Sequence, residues 1–269
     1  MSTPTDVRDI AELLVRARKA GRGLAGFPGS VPADLATAYR IQDAAISLWS
    51  ETTADDALAG WKIGFIAPDR RATGEPDRLV GPIWRSGCRT AGVGAEPVEV
   101  GVFGSGFAAV EAELVVRVLD EPDRSAGHVW TAEEVADVAY ELLLGVEVAS
   151  SPIPAINDLG PTVIAADFGN NNGLVLGPVL DPRIAAGRIS CAVDGVEVGT
   201  GSVANLPGGL HHALATAWTV LARRGHRVST GMLFATGAIT GIHEVTPGQT
   251  GRVQIEGGPM IDVRTVDLG

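Results

Sequence analysis

The sequence predicts an α+β fold, and three observations lead there. Helical periodicity dominates the first third and returns in two later segments. Short apolar runs of strand length fill most of the remainder. The 35 glycines in 269 residues imply many tight turns and a β-rich body. Many strands with few helices favour a mixed or antiparallel β core.

Taken in order, Val7, Ile10, Leu13, Leu14 and Ala17 follow helical spacing, and Gly21 and Gly23 end the run. Leu35, Ala38, Tyr39, Gln42, Ile46 and Trp49 mark a second helix, opened by Pro32-Ala33-Asp34. Leu58 to Ile66 reads as a strand, with Trp61, Ile63 and Phe65 on one face and Lys62 and Gly64 on the other. Residues 67–82 carry Pro68, Gly74, Pro76, Gly81 and Pro82 and read as a loop. A soft domain boundary falls near residues 85–100. Val110 to Val118 and Leu144 to Ala149 read as buried strands. Between them, Thr131-Ala132-Glu133-Glu134 is a capping box before a helical pattern of Val135, Val138, Leu142 and Leu143. Ile189 to Val198 reads as a hairpin around Asp194-Gly195. Gly209 to Arg224 is the last helix, with Leu210, Leu214, Ala217, Trp218 and Leu221 inside and Gly225 as its stop.

Composition narrows the function. Charged residues are 20 % and hydrophobic residues 45 %, a globular balance with no apolar run long enough to span a bilayer. The N-terminus lacks a basic region followed by an apolar core, so no secretory signal is expected. Cys88 and Cys191 are too few for a disulfide framework, which suits reduced thiols and a cytoplasmic location. The net charge of −11 argues against nucleic acid and anionic membranes as partners. It also means that an anionic substrate needs local positive charge at its site.

Glu111-Ala112-Glu113 is the feature that points to chemistry. On a strand both carboxylates share a face, where they repel each other and resist desolvation. They either line a solvated face or hold a hard divalent cation. Glu147, alone in an apolar strand, is either the third ligand or the partner of an arginine. Three carboxylates suit magnesium or manganese. Lys62 either snorkels to water or serves a site, binding a carboxylate or donating a proton. Asp167, Asn170, Asn171 and Asn172 follow the apolar segment 162–166 and form either a polar turn or a rim of hydrogen-bonding groups. His211-His212 reads as surface or capping. No C-x-x-C, H-E-x-x-H, G-x-S-x-G or phosphate-loop pattern is present.

Several of these segments occur in an order that resembles the 2-keto-4-pentenoate hydratases and 2-oxo-3-hexenedioate (4-oxalocrotonate) decarboxylases of the fumarylacetoacetate-hydrolase superfamily. They are Ala38-Tyr39-Arg40-Ile41-Gln42, Gly60-Trp61-Lys62-Ile63-Gly64, Glu111-Ala112-Glu113, Glu147, Val163 to Asp167, Gly173 to Gly177, Ala217-Trp218 and Ala235-Thr236-Gly237. The resemblance implies a small N-terminal α/β portion, residues 1–90, and a C-terminal mixed β-roll, residues 91–269, that carries the metal and the catalytic site. It implies Mg2+ or Mn2+ on Glu111, Glu113 and Glu147, and catalytic roles for Lys62 and Asp167. Lys62, Asn170 and Ser151 are expected to touch a small anionic 2-oxo acid. It further implies a homo-oligomer, with a related enzyme as a potential partner in a complex.

The implied activity is a metal-dependent hydratase adding water to a 2-hydroxy-2,4-dienoate or 2-oxo-enoate. The alternatives are a decarboxylase of a 2-oxo-enedioate, another C–C hydrolase or isomerase of the superfamily, or a non-catalytic partner subunit. Hydrolases of the superfamily carry a Glu-His pair in an N-terminal loop, and here no histidine precedes His128. The chain departs from the family after Glu147, where Ser150-Ser151-Pro152 has proline in place of arginine. It departs again at Asp167-Phe168, where Asp-Asn follows a strand in the family.

Overall fold

The computed structural model describes residues 6–53, 55–92, 94 and 96–269. Two helices open the fold, α1 (Val7–Lys19) and α2 (Leu35–Thr52). Asp6 and Asp34 cap them by accepting from the amides of Arg8 and Thr37, both at 2.7 Å. There follow β1 (Leu58–Phe65), β2 (Arg78–Trp84), β3 (Cys88–Thr90), β4 (Val98–Val102) and β5 (Phe107–Val118). Next come α3 (Ala132–Ala136), β6 (Tyr140–Ser151), α4 (Ile156–Leu159), α5 (Pro161–Ala166), β7 (Asn171–Val179) and α6 (Pro182–Ala185). The chain ends with β8 (Ile189–Val193), β9 (Val196–Gly201), α7 (Leu210–Arg223), β10 (Leu233–Ala235), β11 (His243–Glu244), β12 (Thr250–Ile255) and β13 (Met260–Asp267).

The strands form two sheets. The larger runs β2-β1-β10-β5-β6-β7-β3, with β11 pairing β5 at its side. It is mixed, because β1 lies parallel to β10 and β3 parallel to β7, while the β5-β6-β7 centre is antiparallel. The smaller sheet runs β4-β13-β12-β8-β9. The β1-β2 pair therefore joins strands from the second half of the chain in one sheet. The architecture is α+β.

Alternation along β5 sets two environments. Val110, Ala112 and Leu114 join Val146, Val148, Cys191, Val253, Ile261 and Val263 in the core between the sheets. Their odd-numbered neighbours Glu111 and Glu113 point the other way. The helices build a second core, in which Trp61 and Ile63 pack with Leu14, Ile41, Trp218 and Phe234. Trp218 meets Trp130 edge-on at 5.0 Å. In the β8–β9 hairpin, Asp194 and Gly195 both have positive φ, 48° and 80°, as a two-residue turn requires.

Three sequence expectations are corrected. The end of the loop expected over 67–82 is strand β2, and Pro82 is tolerated because β2 is an edge strand that needs no donor on its open side. The helix expected through Leu143 stops at Ala136; its capping box is present, but Leu142 and Leu143 belong to β6. A strand covered on both faces carries a continuous apolar run that is easily taken for a helix. The apolar segment 162–166, which the resemblance places in a strand before Asp167, is the short helix α5, with Pro161 at its first turn. No helix among the described residues is long and apolar enough to cross a membrane.

Candidate metal centre

Register brings the three glutamates together. On β5 Glu111 stands directly opposite Glu147 of β6, and Glu113 stands opposite Gly145. A Cβ at Gly145 would lie 2.5 Å from Val115 Cγ2, so the close packing beside Glu113 requires glycine there. One carboxylate oxygen from each of Glu111, Glu113 and Glu147 lies within 4.8 Å of the other two. The site is dry: Glu113 and Glu147 have no exposed surface, and Glu111 is 5 % exposed.

Few hydrogen bonds compensate for this burial. The Gly237 amide donates to Glu113 Oε2 at 3.1 Å, and Asn171 Nδ2 donates to Glu147 Oε1 at 2.9 Å. Glu113 Oε1 and Glu147 Oε2 are buried with no partner. Two orphaned carboxylate oxygens in one cluster would cost several kcal/mol if nothing else bound there. Burial first, and then the negative charge of Glu147, push the Glu111 carboxyl up to about 7. The same causes, with Glu111 added, hold Glu113 well above the usual carboxylate range.

Lys62 supplies the one positive charge paired with the cluster among the described residues, its Nζ 3.4 Å from Glu147 Oε1. Burial works against that charge, but the three glutamates outweigh it and raise the lysine above its ordinary value. Three carboxylates and one ammonium leave a formal charge of −2 in a water-poor site. A divalent cation cancels that charge and partners the orphaned oxygens, so the residues present fit magnesium or manganese.

Of the other residues picked from sequence, Asp167 and Asn170 lie between α5 and β7, Asn171 and Asn172 open β7, and Ser151 ends β6. Phe168, Gly169 and Asn170 form a turn in which all three residues are left-handed, with φ of 52°, 68° and 64°. It is packed hard against β2: a Cβ on Gly81 would lie 2.1 Å from the Phe168 carbonyl oxygen. A Cβ on Gly169 would lie 2.9 Å from Lys62 Cδ, so the turn supports the lysine stem. Asn170 is buried, and its Oδ1 has no partner.

Asp167 and Ser151 meet each other rather than the acids. Ser151 Oγ donates to Asp167 Oδ2 at 2.6 Å. Arg18 donates to both oxygens of Asp167, from Nε at 2.6 Å and Nη2 at 2.8 Å. The Asp167 carboxylate is thus committed to a guanidinium and a hydroxyl. Arg18 escaped the sequence reading, although a signal was present: it lies on the buried stripe of α1 with Ala11 and Leu14, where a charge is out of place. The two histidines of α7 are engaged elsewhere, His211 with the Tyr140 hydroxyl at 2.8 Å and His212 with Asp77 at 3.0 Å.

Fold and site together define a two-sheet α+β scaffold with a buried acidic triad on its central strands. No protein-family model and no curated protein sequence matches the chain. Solved structures do. One is 4-oxalocrotonate decarboxylase from Pseudomonas putida G7 complexed with magnesium and adipate, at 20 % identity, TM-score 0.78 and 97 % coverage of both chains. The same enzyme complexed with calcium and acetate matches at 19 % identity and TM-score 0.77 over 99 % of both chains. Fumarylpyruvate hydrolase from Pseudomonas aeruginosa, in complex with Mn2+ and pyruvate, matches at 15 % identity and TM-score 0.57 over 77 % of this chain and 88 % of that one. At these identities the likeness is one of fold.

Proposed function

We propose that this protein is a divalent-metal-dependent lyase of the fumarylacetoacetate-hydrolase superfamily that hydrates a small 2-hydroxy-2,4-dienoate or 2-oxo-enoate. The observation that carries the reading is the dry triad of Glu111, Glu113 and Glu147 with two unpartnered oxygens and one lysine beside it. Magnesium or manganese held there would act as a Lewis acid toward the 2-oxo group of a bound 2-oxo acid. The structures similar in fold support this, since they are complexed with magnesium and adipate, calcium and acetate, or Mn2+ and pyruvate.

In this reading Lys62 is the residue that meets the substrate. Its ammonium holds the substrate carboxylate, and it is placed to deliver a proton to the chain as water adds across the conjugated double bond. The Asn170 carboxamide, with its free Oδ1, orients the substrate or the water. Ser151 and Asp167 act from behind, fixing the turn that carries Asn170. With the cation in place, the triad and Lys62 sum to zero formal charge, so every carboxylate beyond the chelating one is uncompensated, and the nearby buried guanidinium of Arg18 is taken by Asp167. A monocarboxylate is therefore easier to bury than an enedioate, which favours hydration.

Decarboxylation of a 2-oxo-enedioate is the second reading. It is favoured by the match of 4-oxalocrotonate decarboxylase to the chain over nearly its whole length. The test is a panel of 2-oxo-enoates and 2-oxo-enedioates assayed with added Mg2+ or Mn2+, following loss of the conjugated chromophore and release of carbon dioxide. Metal-dependent chromophore loss without carbon dioxide, abolished in Lys62→Met, is expected. Carbon dioxide release establishes the second reading. No turnover and no metal uptake by the purified protein would sink both and leave a non-catalytic partner subunit. Homo-oligomerisation is proposed on the same resemblance and is read by light scattering.

A further inference from the structure

Arg18 makes a set of contacts that its place in the sequence gives no reason to expect. Besides both oxygens of Asp167, its guanidinium donates to the backbone carbonyls of Asp167 at 3.1 Å, Asn171 at 3.0 Å and Ser150 at 3.3 Å, and to Asn172 Oδ1 at 3.3 Å. Its Cζ stands 5.2 Å from the centre of the Phe168 ring. Asp167 and Asn171 are the two ends of the left-handed turn, and Phe168 is its first residue. Arg18 therefore grips the turn at both ends and covers it.

That turn needs gripping. Non-glycine residues pay a penalty in the left-handed region, and Phe168 and Asn170 both sit there beside Gly169. What the turn presents is the acidic site. Its Gly169 abuts Lys62, and Asn171, the next residue after it, donates to Glu147. We propose that Arg18 is a positioning residue of the acidic site: by clamping the two ends of the 168–170 turn, it fixes the Asn171 carboxamide on Glu147 and the backbone of Gly169 against the Lys62 stem. The inference rests on the metal reading above and deepens it, because it assigns the orientation of the third carboxylate to a helix distant in sequence. Groups behind a metal ligand typically change affinity by about tenfold to a hundredfold when lost.

The test measures Mn2+ binding to the full chain by calorimetry, alongside melting curves. The variants are Arg18→Lys, the charge-free pair Arg18→Gln with Asp167→Asn, and Asn171→Leu. Lysine cannot form the two-pronged contact. Each variant that folds is expected to bind Mn2+ on the order of tenfold more weakly than the unaltered protein. Arg18→Lys combined with Asn171→Leu is expected to add little to either alone, since both act through one contact. A cavity of about 230 Å³ lined by Arg18, Phe168, Asn171 and Asn172 gives a small ion access to the place of the guanidinium. Added guanidinium ion, unlike methylammonium, is thus expected to restore Mn2+ binding in Arg18→Ala.

Unchanged Mn2+ affinity in folded Arg18 variants, or in Asn171→Leu, overturns the clamp while leaving the metal reading standing. Asn171→Leu keeps the backbone clamp and removes the carboxamide bonds to Glu147 and to the Gly173 carbonyl, so it can refute the proposal even if every Arg18 variant misfolds. No Mn2+ binding by the unaltered protein overturns the metal reading itself.

Discussion

The stability of the metal-free protein should fall as pH rises, and the metal should remove that fall. Glu111 ionises at about 7 in the fold because burial and the charge of Glu147 oppose its anion, against about 4.5 for an ordinary glutamate. The folded state therefore binds more protons than the unfolded state between those values. With the folded pKa raised, stability is highest below about 4.5, declines through the interval and levels off above about 7. The gap of roughly 2.5 units corresponds to about 3 kcal/mol at 1.36 kcal/mol per unit. Glu113 shifts in the same direction and adds to the effect. For a chain of this size about 3 kcal/mol amounts to roughly 5–10 °C in Tm. Lys62 does not interfere, because its raised pKa keeps it charged across the window. His243 works the opposite way, since partial burial lowers its pKa and its contribution to stability grows with pH. The assay is therefore differential: calorimetric melting of the EDTA-treated protein from about pH 5 to pH 8.5, with and without excess Mg2+, for the unaltered chain and Glu111→Gln. The stabilisation by Mg2+ should grow with pH in the unaltered protein. Glu111→Gln should flatten the metal-free profile. A Mg2+ increment that is constant with pH, or a metal-free profile identical in the variant, would refute the electrostatic account of the triad.

Glu113→Gln should abolish stoichiometric Mn2+ uptake, measured by metal analysis after dialysis, while the metal-free protein gains stability over the parent as pH rises, because the variant has no buried carboxyl left to ionise there. Gly81→Ala should destabilise by about 1–3 kcal/mol in urea unfolding, since its methyl would meet the backbone of Phe168 and Gly169, which cannot rotate away. The same change should lower kcat through the displaced turn. Trp218→Ala, 1 % exposed between Trp130 and Phe234, should cost about 3–5 kcal/mol by the same measurement, with metal affinity in the folded fraction unchanged.

Local patterns were legible where one physical cause dominated. The cap Asp34, the Thr131 capping box, the Asp194-Gly195 turn and the stop at Gly225 depend on short-range backbone chemistry, and all appear as read. Elements failed to show where the tertiary environment reversed the local signal. Gly81 and Pro82 look like loop residues, yet an edge strand accepts the proline, and the close approach of the 168–170 turn demands the glycine. Leu142 and Leu143 look helical because the sheet is buried on both faces there. Arg18 was passed over because nothing near it in sequence could pair with it; Asp167 lies 149 residues away.

By itself, the sequence determined that Glu111 and Glu113 share a strand face, because a strand alternates side chains whatever surrounds it. It also identified Glu147 and Lys62 as the groups with unpaired charge in apolar stretches. Only the tertiary structure decided that these four meet in a dry site with two unpartnered oxygens, because that depends on the β5–β6 register and on β1 and β2 closing over them. It also decided that Asp167 is taken by Arg18 and by the Ser151 hydroxyl instead of meeting the acids. The Arg18–Asp167 ion pair joins the first helix to the segment between α5 and β7, and no local rule of sequence can anticipate a contact that exists only once the chain has closed on itself.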